Sequence, residues 1–354
     1  RMELDVTRTV AYGVCIPLIV LLCVLAALLN LAVFSSRFYV KSRSTSLELT
    51  YSLALSDTWT SMVIAGSLFW NSYKPVILGL RHNSYCFPLT LEAFRTGGLL
   101  TGVFHLAALA CVHYLQIVRP FDHARILTLR QCHLVIVLIW LLPPLSLIVY
   151  SFSWPEQGFR AADCARVEFY NSLYFRGHIS LIIITLMLTT CIVYWRLLTV
   201  VGKVRSKTAG AAASSLTSRG RRTVITATLI FGTFIFGWAP ASIVYILTAT
   251  GMPLHMDSSS WVVIVSVVVL LNIMIKTLTN PIIYATRIPE IRNYVTKRLS
   301  RVSRRVMREE MSPARRRSEF SNIRNNTLIA IPNQEATSFI ERQENDTRKT
   351  DVTL

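Results

Sequence analysis

Lys276-Thr277-Leu278-Thr279-Asn280-Pro281-Ile282-Ile283-Tyr284 ends the last long apolar stretch of this 354-residue chain. Lys276 is the single charge between residues 260 and 285. A lysine at a bilayer centre costs about 3 kcal/mol on insertion scales, so it belongs inside protein and beside a partner. A proline within a membrane helix frees a backbone carbonyl, which a neighbouring asparagine side chain or a water can satisfy. The stretch therefore reads as the part of a helix bundle that holds a polar cluster.

The composition outside this stretch agrees. The chain is 52% hydrophobic and 16% charged, whereas soluble domains carry about 25% charge. Seven stretches, at about 10–34, 48–70, 90–117, 133–153, 173–200, 223–249 and 260–285, have the length of membrane helices, which need roughly 20 residues. The third is broken near its start by Glu92 and Arg95. The first is too long for the apolar core of a signal peptide and lacks a small-residue cleavage site. The chain starts at Arg1, which leaves its natural N-terminus open. The expected fold is an all-α, seven-transmembrane helix bundle over residues 1–286. A short amphipathic helix follows at 287–307, where spaced Ile, Tyr, Val and Leu alternate with bases and suit the inner leaflet. Residues 308–354 are polar and expected to be disordered.

A net charge of +18 raises the question of nucleic acid, and its placement argues against it. Arg37, Lys41 and Arg43 share one loop, and Arg196, Lys203, Arg205, Lys207, Arg219, Arg221 and Arg222 share another. The tail beyond Arg287 is also basic, while residues 250–259 hold no Lys or Arg. This asymmetry predicts a multi-pass plasma-membrane protein with its N-terminus outside and its C-terminus in the cytoplasm. The same bases would attract anionic lipid. Of the cysteines, Cys15, Cys23, Cys111 and Cys191 lie in apolar stretches and Cys132 near the cytosolic face. Only Cys86 and Cys164 fall on the outer side, where a disulfide persists. Residues 201–222, with Ala-Gly-Ala-Ala-Ala-Ser-Ser, read as a flexible inner loop. No P-loop, zinc-spaced Cys/His cluster or soluble catalytic domain is present in the sequence, so neither an enzyme nor a bound metal or cofactor is expected.

Several positions carry a family resemblance over about residues 10–300. They are Asn30 in the first stretch, Leu53-Ala54-Leu55-Ser56-Asp57 in the second, Trp140 in the fourth and Tyr194 in the fifth. Phe234 with Gly237-Trp238-Ala239-Pro240 lies in the sixth, and Asn280-Pro281-Ile282-Ile283-Tyr284 in the seventh. Occurring in order and one set per stretch, they resemble the rhodopsin-like (class A) G-protein-coupled receptors. The resemblance implies an extracellular ligand, a heterotrimeric G protein and movement of the sixth helix. It also makes arrestin a partner for a phosphorylated tail (Ser312, Ser318, Ser321, Thr327), against plain solvated chain. Val352-Thr353-Leu354 offers a PDZ-groove end.

The departures matter as much. The family's third helix ends in acid-Arg-Tyr; the matching residues here are Val112-His113-Tyr114, registered by Pro120 and Phe121. Val112 cannot form the family's acid–arginine pair, and His113 is shorter and near neutral pH mostly uncharged. Two readings follow: coupling with a loosened resting lock, or a scavenger or scaffold without G-protein output. A transporter would show related halves and broken helices, and the sequence has neither. On a helix, Gly102, Leu106 and His113 lie within about 20° of Arg95, and this stripe is expected to face the interior. The family's sodium ion sits on the Asp57 position, helped by a Ser and an Asn that are here Gly102 and Lys276. Lys276 is therefore expected to pair with Asp57 in place of the ion, the alternative being carbonyls or water. The opsin lysine would fall at Met274, so Lys276 is not read as a retinal linkage. Arg95 stands where amine receptors carry an Asp, which points to an acidic ligand. His178 and Arg166, with Arg176, are expected to add to that positive pocket, and Trp238 and Tyr245 to line it. The alternatives are a peptide with an acidic end, or an internal Arg95–Glu92 pair.

Overall fold

The computed structural model describes residues 9–80, 83–119, 121–207, 211–255 and 260–310. Seven long helices follow in order: α1 (Ile16–Ser35), α2 (Thr45–Ser67), α3 (Cys86–Val118), α4 (Leu129–Ser153), α5 (Leu173–Lys207), α6 (Ala211–Leu247) and α7 (Ser260–Arg287). A π-helical turn, Ala11–Cys15, leads into α1. An eighth helix, α8, spans Pro289–Glu310, and the compact unit that contains the seven helices ends at Val295.

Among the described residues, six of these helices are long and apolar enough to cross a membrane. α2 is not one of them, although its 23 residues reach about 34 Å. Its polarity has a structural reason: Ser52, Ser56, Asp57, Thr58, Thr60 and Ser61 are buried against neighbouring helices. The central core joins Leu53, Val103, Leu106, Phe234, Trp238 and Tyr284 from α2, α3, α6 and α7. Apolar side chains on the outside of α1, α4 and α5, such as Leu21, Leu141 and Leu188, are exposed, as lipid-facing residues are.

Helix starts are written locally. Ser44 accepts from the Leu47 N–H to cap α2. Thr128 and Gln131 form a reciprocal capping box on α4. The internal prolines are handled by neighbours. Pro281 deprives the Thr277 carbonyl of its helical donor, and Asn30 Nδ2 donates to that carbonyl at 3.1 Å. Pro143 does the same to Ile139, and Thr101 Oγ1 of α3 donates there at 3.2 Å. α3 can approach α4 so closely because residue 97 is glycine: a Cβ there would lie 2.7 Å from Pro144 Cα.

Two expectations are corrected. Within 201–222 the described residues are helical and not a loop: α5 continues to Lys207 and α6 starts at Ala211. Alanine is the strongest helix former, so the Ala-rich run extends α6 at its N-terminal end. α8 also runs to Glu310 rather than ending at 307. Pro120, and the tail positions from Ser312 to Leu354, lie outside the described residues.

Candidate functional site

A cavity of about 410 Å³ opens between α2, α3, α5, α6 and α7. Leu99, Ile179, Ile183 and Leu270 give it apolar walls, and Trp238 and Tyr245 of α6 line it as well. Its charged residues are Glu92, Arg95 and Arg176, which leave one net positive charge. Arg95 Nη2 pairs with Glu92 Oε1 one helical turn away. Tyr170 OH donates to the same oxygen at 2.5 Å, and Thr96 Oγ1 lies 2.9 Å from Tyr170 OH. Arg176 is held otherwise. It donates to Thr248 Oγ1 at 2.5 Å, to Asn171 Oδ1 at 2.6 Å and to the Tyr170 carbonyl at 3.4 Å, and lies 5.0 Å from the Tyr245 ring centroid. All these partners are neutral, so the surplus charge belongs to Arg176. Arg95 Nε, Trp238 Nε1, Ser242 Oγ and Tyr245 OH are buried without a hydrogen-bond partner among the described residues. The Cys86–Cys164 disulfide ties the start of α3 to the loop that delivers Tyr170.

The second polar cluster is deeper. Lys276 Nζ lies 3.3 Å from Asp57 Oδ1, and Asn280 Nδ2 donates to Asp57 Oδ2 at 2.7 Å. Lys276, Asp57 and Asn280 are all buried. At an effective dielectric of about 20, unit charges 4 Å apart attract by about 4 kcal/mol, which repays part of the desolvation of both groups. Tyr284 is fully buried just below, its hydroxyl without a partner among the described residues.

At the opposite end of α3, His113 Nε2 shares a 3.1 Å hydrogen bond with Ser46 Oγ at the start of α2. Tyr114 packs with Tyr194 and Leu197 of α5, and the Tyr194 ring lies tilted against Phe231 of α6, with centroids 5.2 Å apart. The nearby carboxylate is Glu48, engaged by Arg37 at 2.9 Å and Arg43 at 2.6 Å.

Residues 28–284 match the 7 transmembrane receptor (rhodopsin family). The chain belongs to that family. It is thus a multi-pass membrane receptor of class A, a signalling fold rather than an enzyme. A relative, the Gq-coupled rhodopsin of Mizuhopecten yessoensis, is 26% identical over 314 residues, covering 81% of this chain and 59% of the relative.

Within the receptor, Arg95, Trp238 and Tyr245 meet at the cavity, but His178 and Arg166 do not. His178 is exposed, its ring Nδ1 2.5 Å from the Tyr174 carbonyl. It sits two residues after Arg176, about 200° round the helix, so the two cannot share a face. Arg166 pairs with Glu156 on the surface at 3.3 Å. Of α7, Ser266, Val269, Leu270 and Ile273 line the cavity; Lys276 is turned to Asp57, so no lysine amine faces a ligand there for a retinal-type linkage. A network missed from sequence joins α2, α3 and α4: Trp140 Nε1 donates to Ser52 Oγ at 3.0 Å, Ser52 Oγ is 2.8 Å from His105 Nε2, and His105 Nδ1 is 2.8 Å from the Thr101 carbonyl. A histidine inside an apolar run was the available signal.

Proposed function

We propose that this receptor answers an acidic amphiphile, a carboxylate or phosphate headgroup on an apolar body, presented from outside the cell. The observation that carries this reading is the charge of Arg176, which meets neutral partners among the described residues in a cavity with largely apolar walls. An arginine fork binds such oxyanions bidentately. Arg95, neutralised by Glu92, positions Tyr170 and the wall. An apolar body against Trp238 would bear on α6, and α6 movement would open the inner face to a heterotrimeric G protein. The basic inner loops and α8 would face anionic lipid, and a phosphorylated tail would recruit arrestin. Because a relative is named as Gq-coupled, that output is the first to assay. The test is a panel of carboxylate and phosphate amphiphiles with neutral-headgroup analogues, read by G-protein activation. Arg176→Gln should weaken the acidic members by about tenfold or more, the worth of a charged hydrogen bond, and leave the neutral ones alone. Unchanged acidic potency would sink the reading.

His113 supports a second reading, a receptor without G-protein output. Its imidazole is engaged with Ser46 of α2 and stands where the family has arginine. Basal or ligand-driven signal in the wild type favours coupling with a loosened lock. Signal in His113→Arg alone favours the non-coupling protein.

A further inference from the structure

The family resemblance implies a sodium ion on Asp57, and the residues around Asp57 do not fit one. Both carboxylate oxygens already accept from nitrogen donors: Oδ1 faces Lys276 Nζ at 3.3 Å and Oδ2 takes Asn280 Nδ2 at 2.7 Å. A metal ion here would meet an ammonium that is itself buried, and like charges at this separation in a low dielectric repel strongly. On the α3 side, position 102 supplies no side-chain oxygen either. Residue 102 is glycine, whose Cβ, if present, would lie 3.7 Å from Asp57 Oδ1.

The other side of the pocket is closed by α6. A Cβ on Gly237 would lie 3.0 Å from Lys276 Cβ, 3.4 Å from its Cγ and 3.6 Å from the Asn272 carbonyl oxygen. The first of these is a contact with an atom fixed to the α7 backbone, so any side chain at 237 would push α6 and α7 apart by a few tenths of an ångström. By contrast, a Cβ on Gly232, one and a half turns earlier on α6, would meet nothing within 4 Å.

We infer that Lys276 is the resident cation of the Asp57 pocket, that no metal ion shares it, and that Gly237 seats the lysine stem so that α6 bears directly on the Lys276–Asp57 pair. Three departures from the family pattern, at 102, 237 and 276, then have one cause: room for a lysine side chain and its charge. The pair senses where α6 stands instead of the sodium concentration outside.

The test uses the purified full chain and its thermal unfolding midpoint in sodium chloride against N-methylglucamine chloride of equal ionic strength. The wild type should unfold at the same temperature in both. Lys276→Asn, alone and with Gly102→Ser, should acquire a sodium-dependent rise of about 3 °C or more, since a ligand that binds only the folded state raises its midpoint. A sodium-dependent wild-type midpoint that Asp57→Asn abolishes would overturn the inference. So would Lys276 variants that gain no sodium response, because removing the ammonium would then uncover no cation site. The wild-type arm stands even where a variant fails to fold. The seat is read separately: Gly237→Ala should lower the midpoint by several degrees, and Gly232→Ala should leave it unchanged or slightly higher, as alanine favours the helix. Equal effects at the two glycines would remove Gly237 from the device.

Discussion

Two of the receptor's cation–carboxylate pairs, Arg95–Glu92 and Lys276–Asp57, differ in what each leaves over. Arg95 and Glu92 are one turn apart on the same helix, their side chains 29% and 16% exposed. The pair neutralises itself locally, and the cavity keeps a net charge because Arg176 stands nearby with neutral partners only, among the described residues. Lys276 and Asp57 come from helices far apart in sequence, are 4% and 6% exposed, and leave no charge for a ligand. The first arrangement has something to offer an outside molecule. The second joins α2 to α7 and closes. A buried pair is thus not a binding site by being charged; the remainder decides.

The largest effect should come from opening the closed pair. Without sodium, Lys276→Met leaves Asp57 buried beside Asn280 alone and should cost about 3–5 kcal/mol, read as a lowered unfolding midpoint. Adding Asp57→Asn removes the stranded charge, so the double variant should recover much of the loss. If Lys276→Met costs no more than Arg95→Met, the two pairs are equivalent and the contrast collapses.

Next in size is the open pair. Glu92→Gln removes the negative charge from the acceptor shared by Arg95 and Tyr170 and should cost about 2 kcal/mol, the range of charged hydrogen bonds. It also raises the cavity from one net positive charge to two. Acidic amphiphiles should therefore bind more tightly to a less stable protein, a divergence that direct binding and thermal unfolding can separate. Arg176→Gln should do the reverse to affinity: weaker acidic ligands by about tenfold, with stability lowered by about 2 kcal/mol for the charge-assisted bonds it gives to neutral acceptors. Parallel changes in affinity and stability at both positions would mean that the cavity charge has no role of its own.

Much of the bundle was legible in the sequence because membrane helices advertise themselves by length, and polar residues inside them are few. Pro281 and Asn30 could be read as a freed carbonyl and a lone amide, and Lys276 as a charge in need of a partner. What escaped depends on direction and on loops. His178 and Arg176 lie two residues apart, and no composition says which of them faces inward. Tyr170 reaches Glu92 only because the disulfide-tied loop returns over α3, a contact with no periodicity to betray it. The inner extension of α6 escaped because glycine, alanine and serine together read as flexible, although alanine alone favours a helix. Gly237 was visible only as a departure from a motif; its meaning needed the 3.0 Å approach to Lys276.

The smallest predicted effect concerns the two prolines, which sharpen the contrast from outside it. Thr101 Oγ1 serves the Ile139 carbonyl freed by Pro143, as Asn30 Nδ2 serves the Thr277 carbonyl freed by Pro281. Thr101→Val keeps the shape and removes the donor, so it should cost about 1 kcal/mol and leave ligand response unchanged. Asn30→Leu should cost more, because Asn30 also donates to the Ala26 carbonyl at 2.9 Å, and because Thr277 follows directly on Lys276 in α7. If the Lys276–Asp57 pair depends on the local course of α7, Asn30→Leu and Lys276→Met should be non-additive in a double-mutant cycle. Thr101→Val, on the α3–α4 side, should add to Lys276→Met without coupling. Coupling at Thr101 equal to that at Asn30 would mean that the pair is sensitive to the whole bundle and not to α7.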